Sequence, residues 1–144
     1  MSLSTYVPED ILVIIGGAIM SGFGDGTFVV VERDEDTFSK KTGANGRTTR
    51  TKSSNKSGSI TLTLQQTSPS NDILSAIHAI DEQTGNGVVP VLIKDKRGTS
   101  IHSSPAAWVK KPASASYAKE SEDREWVLDC ADLEGHVGGN PTFG

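Results

Sequence analysis

The sequence predicts a mainly β protein with one α-helix, built as an antiparallel β-sandwich or partial barrel. Three observations carry this. Residues 58–65 alternate polar and apolar with period two. Short runs rich in Val, Ile and Thr recur between Gly, Asn and Asp turns. Helical spacing of apolar residues is convincing only in the segment that begins at Ser68. At 144 residues the chain can bury one core and is short for two, so residues 1–144 are assigned to one domain. A hydrophobic share of 35% and a charged share of 22% lie outside the regime of a disordered chain.

In chain order, Ile11–Ile15 is an apolar β-rich run closed by Gly16 and Gly17, and residues 18–22 can return as its partner. Residues 27–33 form the next strand, whose mixed character predicts cover on both faces for part of its length. Asn45-Gly46 is a strong hairpin signal within an arm spanning residues 38–57. Almost nothing apolar lies between Phe38 and Ile60, so this arm has no hydrophobic face to fold with and is expected to become ordered against a partner. In residues 58–65, Ile60, Leu62 and Leu64 face a core, while Ser59, Thr61, Thr63 and Gln65 form a small, polar, uncharged outer face.

The helix starts with Ser68 as N-cap and Pro69 at the first position, with Asp72 in the first turn. Ile73, Leu74, Ile77 and Ile80 follow at helical spacing, and Gly85 ends it. Residues 88–94 and 100–102 make a hairpin in which Gly98 supplies a positive φ, and Pro90 marks an edge or a bulge. Residues 106–110, a weaker 113–117, and 125–130 complete the strands. The tail, residues 138–144, has no period and is expected to be mobile or bound to a partner.

Charge is unevenly distributed. The net charge is -4, yet residues 40–56 carry Lys40, Lys41, Arg47, Arg50, Lys52 and Lys56 with no acid. Residues 1–36 hold seven acids against Arg33, and residues 112–144 hold seven (Glu120, Glu122, Asp123, Glu125, Asp129, Asp132, Glu134) against Lys119 and Arg124. A basic loop on an acidic protein meets either phosphates or the acidic surface of another copy. The arm contains no Phe, Tyr or Trp between Lys40 and Lys56 for base stacking, which with the overall acidity weighs against nucleic acid.

Catalytic and metal chemistry find no support. Gly22-Phe23-Gly24-Asp25-Gly26 opens a strand, whereas a phosphate-binding glycine loop opens a helix. His78, His102 and His136 have no ligand spacing with one another or with Cys130, which reads as a small buried hydrophobe. No serine sits in a nucleophile elbow, and no paired carboxylates fall where periodicity would build a cleft. A single cysteine offers no disulfide, and the apolar stretch 11–20 is about half the length needed to span a bilayer. Glu9 and Asp10 stand where a signal peptide has basic residues, so a cytoplasmic, unprocessed product is expected, and the acceptor pattern Asn55-Lys56-Ser57 has no glycan to carry.

Taken in order, residues 22–28 (GFGDGTF), 31–34 (VERD), 43–47 (GANGR) and 55–72 (NKSGSITLTLQQTSPSND) resemble the tail tube, or inner tube, proteins of contractile-tailed bacteriophages. Residues 90–95, 107–112 and 124–128 keep the same order, so the likeness covers nearly the whole chain. The resemblance implies a β-sandwich subunit with a flanking helix, six of which join sheets into a ring whose inner wall is a continuous β-barrel. Rings then stack into a tube inside a contractile sheath and form the conduit for DNA ejection. It implies a structural virion protein rather than an enzyme, without cofactor, metal or membrane contact, assembled in the cytoplasm of the bacterial host. Its partners would be its own copies, the sheath protein, the tape-measure protein, and the baseplate and tail-terminator proteins, with DNA passing through the lumen unbound.

In that picture Lys40, Lys41, Arg47, Arg50, Lys52 and Lys56, together with Asp34, Glu35 and Asp36, are expected at contacts between subunits or rings. Ser59, Thr61, Thr63 and Gln65 are expected to face the lumen. Three rival readings are a tube of the same fold in a phage-like injection machine, such as a tailocin or secretion system, a nucleic-acid-binding module that uses the arm 40–56, and an enzyme, which would need a pocket assembled from residues distant in sequence.

Overall fold

One antiparallel sheet organises the chain. The computed structural model describes residues 3–140 and the backbone of Thr142 and Phe143. In order, the elements are β1 (Leu3–Ser4), a 3-10 turn (Pro8–Asp10), β2 (Ile11–Ile15), β3 (Ala18–Ile19), β4 (Val29–Arg33), β5 (Phe38–Thr42) and β6 (Thr48–Lys52). There follow β7 (Gly58–Leu64), α1 (Ser70–Thr84), β8 (Val89–Asp95), β9 (Ile101–Val109), β10 (Arg124–Cys130), β11 (Glu134–His136) and β12 (Thr142–Phe143). Eight strands form the main sheet in the order β3-β2-β8-β9-β10-β7-β4, with β11 added beside β9. Among the described residues β5 pairs only with β6, and β1 only with β12. The predicted mainly β, one-helix, antiparallel class is found, and within the single chain the sheet is not closed: β3 and β4 are its two ends.

β7 shows why the sheet holds together. Its residues alternate as the sequence requires, with Ile60, Leu62 and Leu64 fully buried and Ser59, Thr61 and Thr63 half-buried on the other face. It is paired along its whole length with β10, and with β4 over Gly58–Leu62. Its apolar face meets Val13, Ile15, Val91, Ile93, Val109, Trp126, Leu128 and Leu74 of α1 in one core. Side chains from both ends of the sheet reach that single core, which requires the sheet to curl around it.

β9 is the corner of this curl. Residues 101–103 pair with β11 and residues 107–109 with β10, and the hydroxyl of buried Ser104 bonds the backbone of Ala106 at the change of partner. The sequence suggested separate strands at 100–102 and 106–110; they are one nine-residue strand because both halves find partners. Pro90 falls at a register shift between Val89 and Val91, the expected bulge.

The helix begins close to the predicted place. Ser70 N–H donates to Ser68 Oγ at 3.2 Å, while Ser68 Oγ donates to the carbonyl of Ser21 at 2.6 Å. Gly22 lies against this serine with φ 73°, and a Cβ there would stand 2.7 Å from Ser68 Oγ, so the site needs glycine for both space and conformation. Asn71 donates to the carbonyls of Gln65 and Ser68 and accepts from Trp126 Nε1 at 2.9 Å, tying helix, turn and β10 together. Gly85 closes the helix with φ 74°.

Four expectations are corrected. Residues 27–33 are expected to be covered on both faces for part of their length; β4 is covered on one face only, because nothing packs over Val30 and Glu32 on the other. Gly98 does not take a positive φ; it is there because a Cβ would stand 2.8 Å from the Gly139 carbonyl and 2.9 Å from Asp95 Oδ2. Residues 113–117 form no strand, since β10 already has β9 and β7 on its two edges. In the tail, Gly138 N–H bonds Ser100 Oγ, Gly139 N–H bonds Thr99 Oγ1, and Asn140 donates to Asp95, so residues 138–140 are fixed to the β8–β9 turn. Pro141 and Gly144, the rest of that expected tail apart from the β12 backbone, lie outside the described residues.

Leu62→Ala would delete core volume where both neighbouring strands are held in register. A loss of about 2 to 5 kcal/mol is expected, read as a lower midpoint in urea unfolding with little change in slope.

Candidate assembly surfaces: a polar sheet face and a basic arm

Cross-strand register places the outward residues of β4, β7 and β10 in rows. Glu32 and Asp129 flank Ser59, Val30 and Val127 flank Thr61, and Glu125 lies beside Thr63. β7 alone contributes an uncharged face, as its sequence indicated. The surface it belongs to is nevertheless acidic, because its neighbours add Glu32, Glu125 and Asp129 and no Lys or Arg. Such a face does not attract phosphates. Gln65 is exposed but lies beyond the end of β7, where its N–H bonds the Gly22 carbonyl, and Thr63 is partly covered by Gly24 and Asp123.

The basic arm is the hairpin β5–β6. All ten of its strand residues are exposed, and Gly46 takes φ 81° in the turn while Arg47 N–H bonds Asn45 Oδ1. Its one aromatic, Phe38, lies under the Arg50 guanidinium at 4.2 Å from the ring centre, a cation–π contact that replaces a hydrophobic face.

At the base of the arm the expected contact residues separate into two groups. Asp34 accepts from Ser57 Oγ at 2.9 Å and Glu35 from Ser53 Oγ at 3.2 Å. Lys56 pairs with Glu134 at 2.8 Å, Leu133 N–H bonds the Lys56 carbonyl, and Arg33 donates twice to the Leu133 carbonyl at 3.0 and 3.1 Å. These residues anchor the arm to the β10–β11 turn of their own chain. Lys40, Lys41, Arg47, Arg50 and Lys52 form no ion pair among the described residues, and Asp36 forms none either.

The hydrogen bond and then the charge of Glu134 raise the Lys56 pKa above 10.5, and the same two effects of Lys56 lower that of Glu134 below 4.5. The sequence could show the charges but not this pair, whose members are 78 residues apart.

Among the described residues, no group of three or more His, Cys, Asp or Glu side chains could hold a metal, and no helix is long and apolar enough to cross a membrane. Burial raises the Cys130 thiol pKa and lowers that of His102. A cavity of about 600 Å³ opens between β4 and the β8–β9 hairpin over Val29, Val31 and Ile93, with His102 and Asp95 at its side. Ser100 also lines it, bonded to Gly138, while Asp95 accepts from Arg97 N–H and Asn140.

This open-sided curled sheet with one flanking helix recurs in solved structures. It superposes on the anti-feeding prophage cap, the tube-terminating cap, with TM-score 0.65 at 9% identity over 94% of this chain and 93% of the other. It also superposes on a chain of the sheath-tube complex of the PVC extracellular contractile injection system, with TM-score 0.62 at 12% identity and 92% coverage of both chains. A structural protein, ORF10, of Pseudomonas phage KPP10 is 32% identical over 145 aligned positions, covering 95% of this chain and 84% of that protein. Residues 3–138 match the family model of the bacteriophage PhiTE tail tube protein, and the chain belongs to that family. It is a structural protein of a phage tail tube.

The arm anchor has a defined pH window. Glu134, with its lowered pKa, contributes above about pH 4.5 and loses its contribution as pH falls through its folded value; Lys56 contributes below about 10.5 and loses its own as pH rises through its raised value. A carbon-detected NMR titration of the Glu134 carboxyl should give a midpoint below 4.5, returning towards that value in Lys56→Met. An unchanged midpoint in the variant would remove the pair.

Proposed function

We propose that six copies of this chain form a ring, that rings stack head to tail into the inner tube of a contractile phage tail, and that the face carrying Ser59, Thr61 and Thr63 lines the channel for DNA ejection. The observation that carries this is the open sheet. β4 ends the sheet with an unpaired edge over Val29–Arg33, and an edge of that length invites pairing with another chain unless something covers it. Joining sheets around a ring removes the edges by closure, and it turns the acidic, phosphate-repelling face into a continuous inner wall.

Contacts that are not self-complementary generate a stack rather than a closed pair, and a basic arm on an acidic body is such a contact. Lys40, Lys41, Arg47, Arg50 and Lys52 are its unpaired cations and meet acids of the adjoining ring, while Asp34, Glu35 and Lys56 hold the arm in place. A sheath around the tube and a terminator at its end agree with the assemblies named for the structural neighbours; tape-measure and baseplate proteins complete the set of partners. The acidic face and the absence of aromatics along 40–56 favour this over a nucleic-acid-binding module. The extracellular injection system among the neighbours keeps a phage-like injection machine as the second reading.

Two measurements test this. Purified protein co-expressed with a baseplate initiating complex should give tubes with a central channel by negative-stain microscopy, and persistent monomers under those conditions would refute it. Cysteine placed at Thr61 should react with a bulky maleimide in free subunits and be protected in tubes except at their ends. Equal labelling in both states would take this face out of the lumen.

A further inference from the structure

The half of the sheet made by β3, β2, β8 and β9 is apolar on both faces. Val13, Ile15, Val91 and Ile93 point into the core. The residues between them point outward, and cross-strand register sets Ile19, Ile14 and Leu92 in one row and Leu12, Lys94 and Ile101 in the next. Ile19 is 64% and Ile101 39% exposed, and Leu12, Ile14 and Leu92 are partly exposed. The outward face of β4, β7 and β10 is polar and acidic by contrast. A sheet apolar on both faces is the pattern of a layer that is covered twice, and α1 lies on the core side, where Ile73, Leu74 and Ile77 pack. Lys94 is the one charge in these two rows and forms no ion pair among the described residues. Beside the rows, Glu134 of β11 is held by Lys56, and Asp10 by Arg97.

The outward side of α1 has the matching character. The helix carries Asp72, Asp81 and Glu82 and no Lys or Arg. Two of these acids stand in its last turn, at the negative end of the helix dipole, an arrangement that a cation from elsewhere offsets. Asp81 accepts from Gly87 N–H, whereas Glu82 is 74% exposed and has His78 Nε2 at 3.8 Å as its one ionic neighbour among the described residues. Next to Glu82 on the outward side are Ala76 and Ala79, both exposed, and Ile80, 52% exposed. Small side chains let a helix come close to a flat surface. The fifteen-residue helix is about 22 Å long, and four strands measure about 14 Å between the outer two, so one helix spans the apolar face.

We propose that α1 of one copy packs on the outward face of β2 and β8 of its neighbour in the same ring, with Ala76, Ala79 and Ile80 over Leu12, Ile14 and Leu92, and Glu82 paired with Lys94 across the contact. The two surfaces are different, so each copy gives its helix to one neighbour and receives the helix of the other, the heterologous arrangement that closes into a ring. The inference rests on the ring reading above and adds to the joined sheet edges a second lateral contact, which does not involve the basic arm.

Tube growth from a baseplate complex provides the test. Glu82→Lys and, separately, Lys94→Glu should each slow growth about tenfold or more, and the chain carrying both changes should regain most of the rate. Replacing an acid by a base at the negative end of a helix does not weaken the helix, so the melting temperature of Glu82→Lys should stay at or slightly above wild type and separate its assembly defect from misfolding. Ala76→Arg with Ala79→Arg, at exposed positions and with a good helix former, should stop growth while the monomer stays folded. Ala79→Cys with Leu92→Cys keeps the ion pair and should oxidise in tubes into an intermolecular ladder that ends at the closed ring, Cys130 being buried. Tubes whose cysteine pair gives no ladder, or a double reversal no faster than either single one, would overturn the contact while leaving the tube reading intact. Normal growth of the arginine variant with loss of sheath binding gives the helix face to the sheath instead. Wild-type protein that forms neither rings nor tubes overturns both readings.

Discussion

β7 is hydrogen-bonded on both edges yet buried on one face only, and the rest of the molecule depends on that asymmetry. Ile60, Leu62 and Leu64 fix which face turns inward, since a one-residue slip would expose all three. Once β7 is fixed, the registers of β4 and β10 follow, and with them the rows that put Glu32, Asp129 and Glu125 beside its hydroxyls. The same strand sets the polarity of the subunit, because the basic arm leaves from one of its ends and the loop of residues 110–123 returns at the other.

The arm illustrates how a segment without an apolar face is held. Its strands bond only to each other, and its connection to the body is polar: Ser57 to Asp34, Ser53 to Glu35, Lys56 to Glu134 and Arg33 to the Leu133 carbonyl. The ion pair is half-exposed on both sides, a class of contact that contributes little on its own. Direction comes from the combination, in which a buried core residue, Leu133, donates its N–H to the Lys56 carbonyl and accepts from Arg33 at its own carbonyl. The anchor fixes where the hairpin starts and leaves five cations unspent.

The open side of the curl and the end strand β4 are two views of one constraint. A sheet of this size curls around its core, and in this chain the curl stops short of closing, leaving Val29 and Val31 only partly covered beside the cavity. A closed barrel would have no free edge to offer a neighbour. The unclosed sheet is what the proposed joining of subunits into a ring requires.

The sequence by itself determined whatever depends on local periodicity and local conformation: the alternation of β7, the Asn45-Gly46 hairpin, the one helix to within a residue or so of its start at Ser70, the bulge at Pro90, and a basic block that no neighbouring acid neutralises. The order of its motifs was also enough to indicate the tail tube family. Only the tertiary structure decided what depends on residues far apart in the chain. That includes the merging of two predicted segments into β9, the acidic neighbours of an uncharged strand face, the pairing of Lys56 with Glu134, and the docking of residues 138–140 on the β8–β9 turn. The physical reason is that a strand's pattern states which face is buried but not which strands lie beside it. Neighbours across a sheet are chosen by packing of the whole core, and the charges of the surface are the sum of those neighbours.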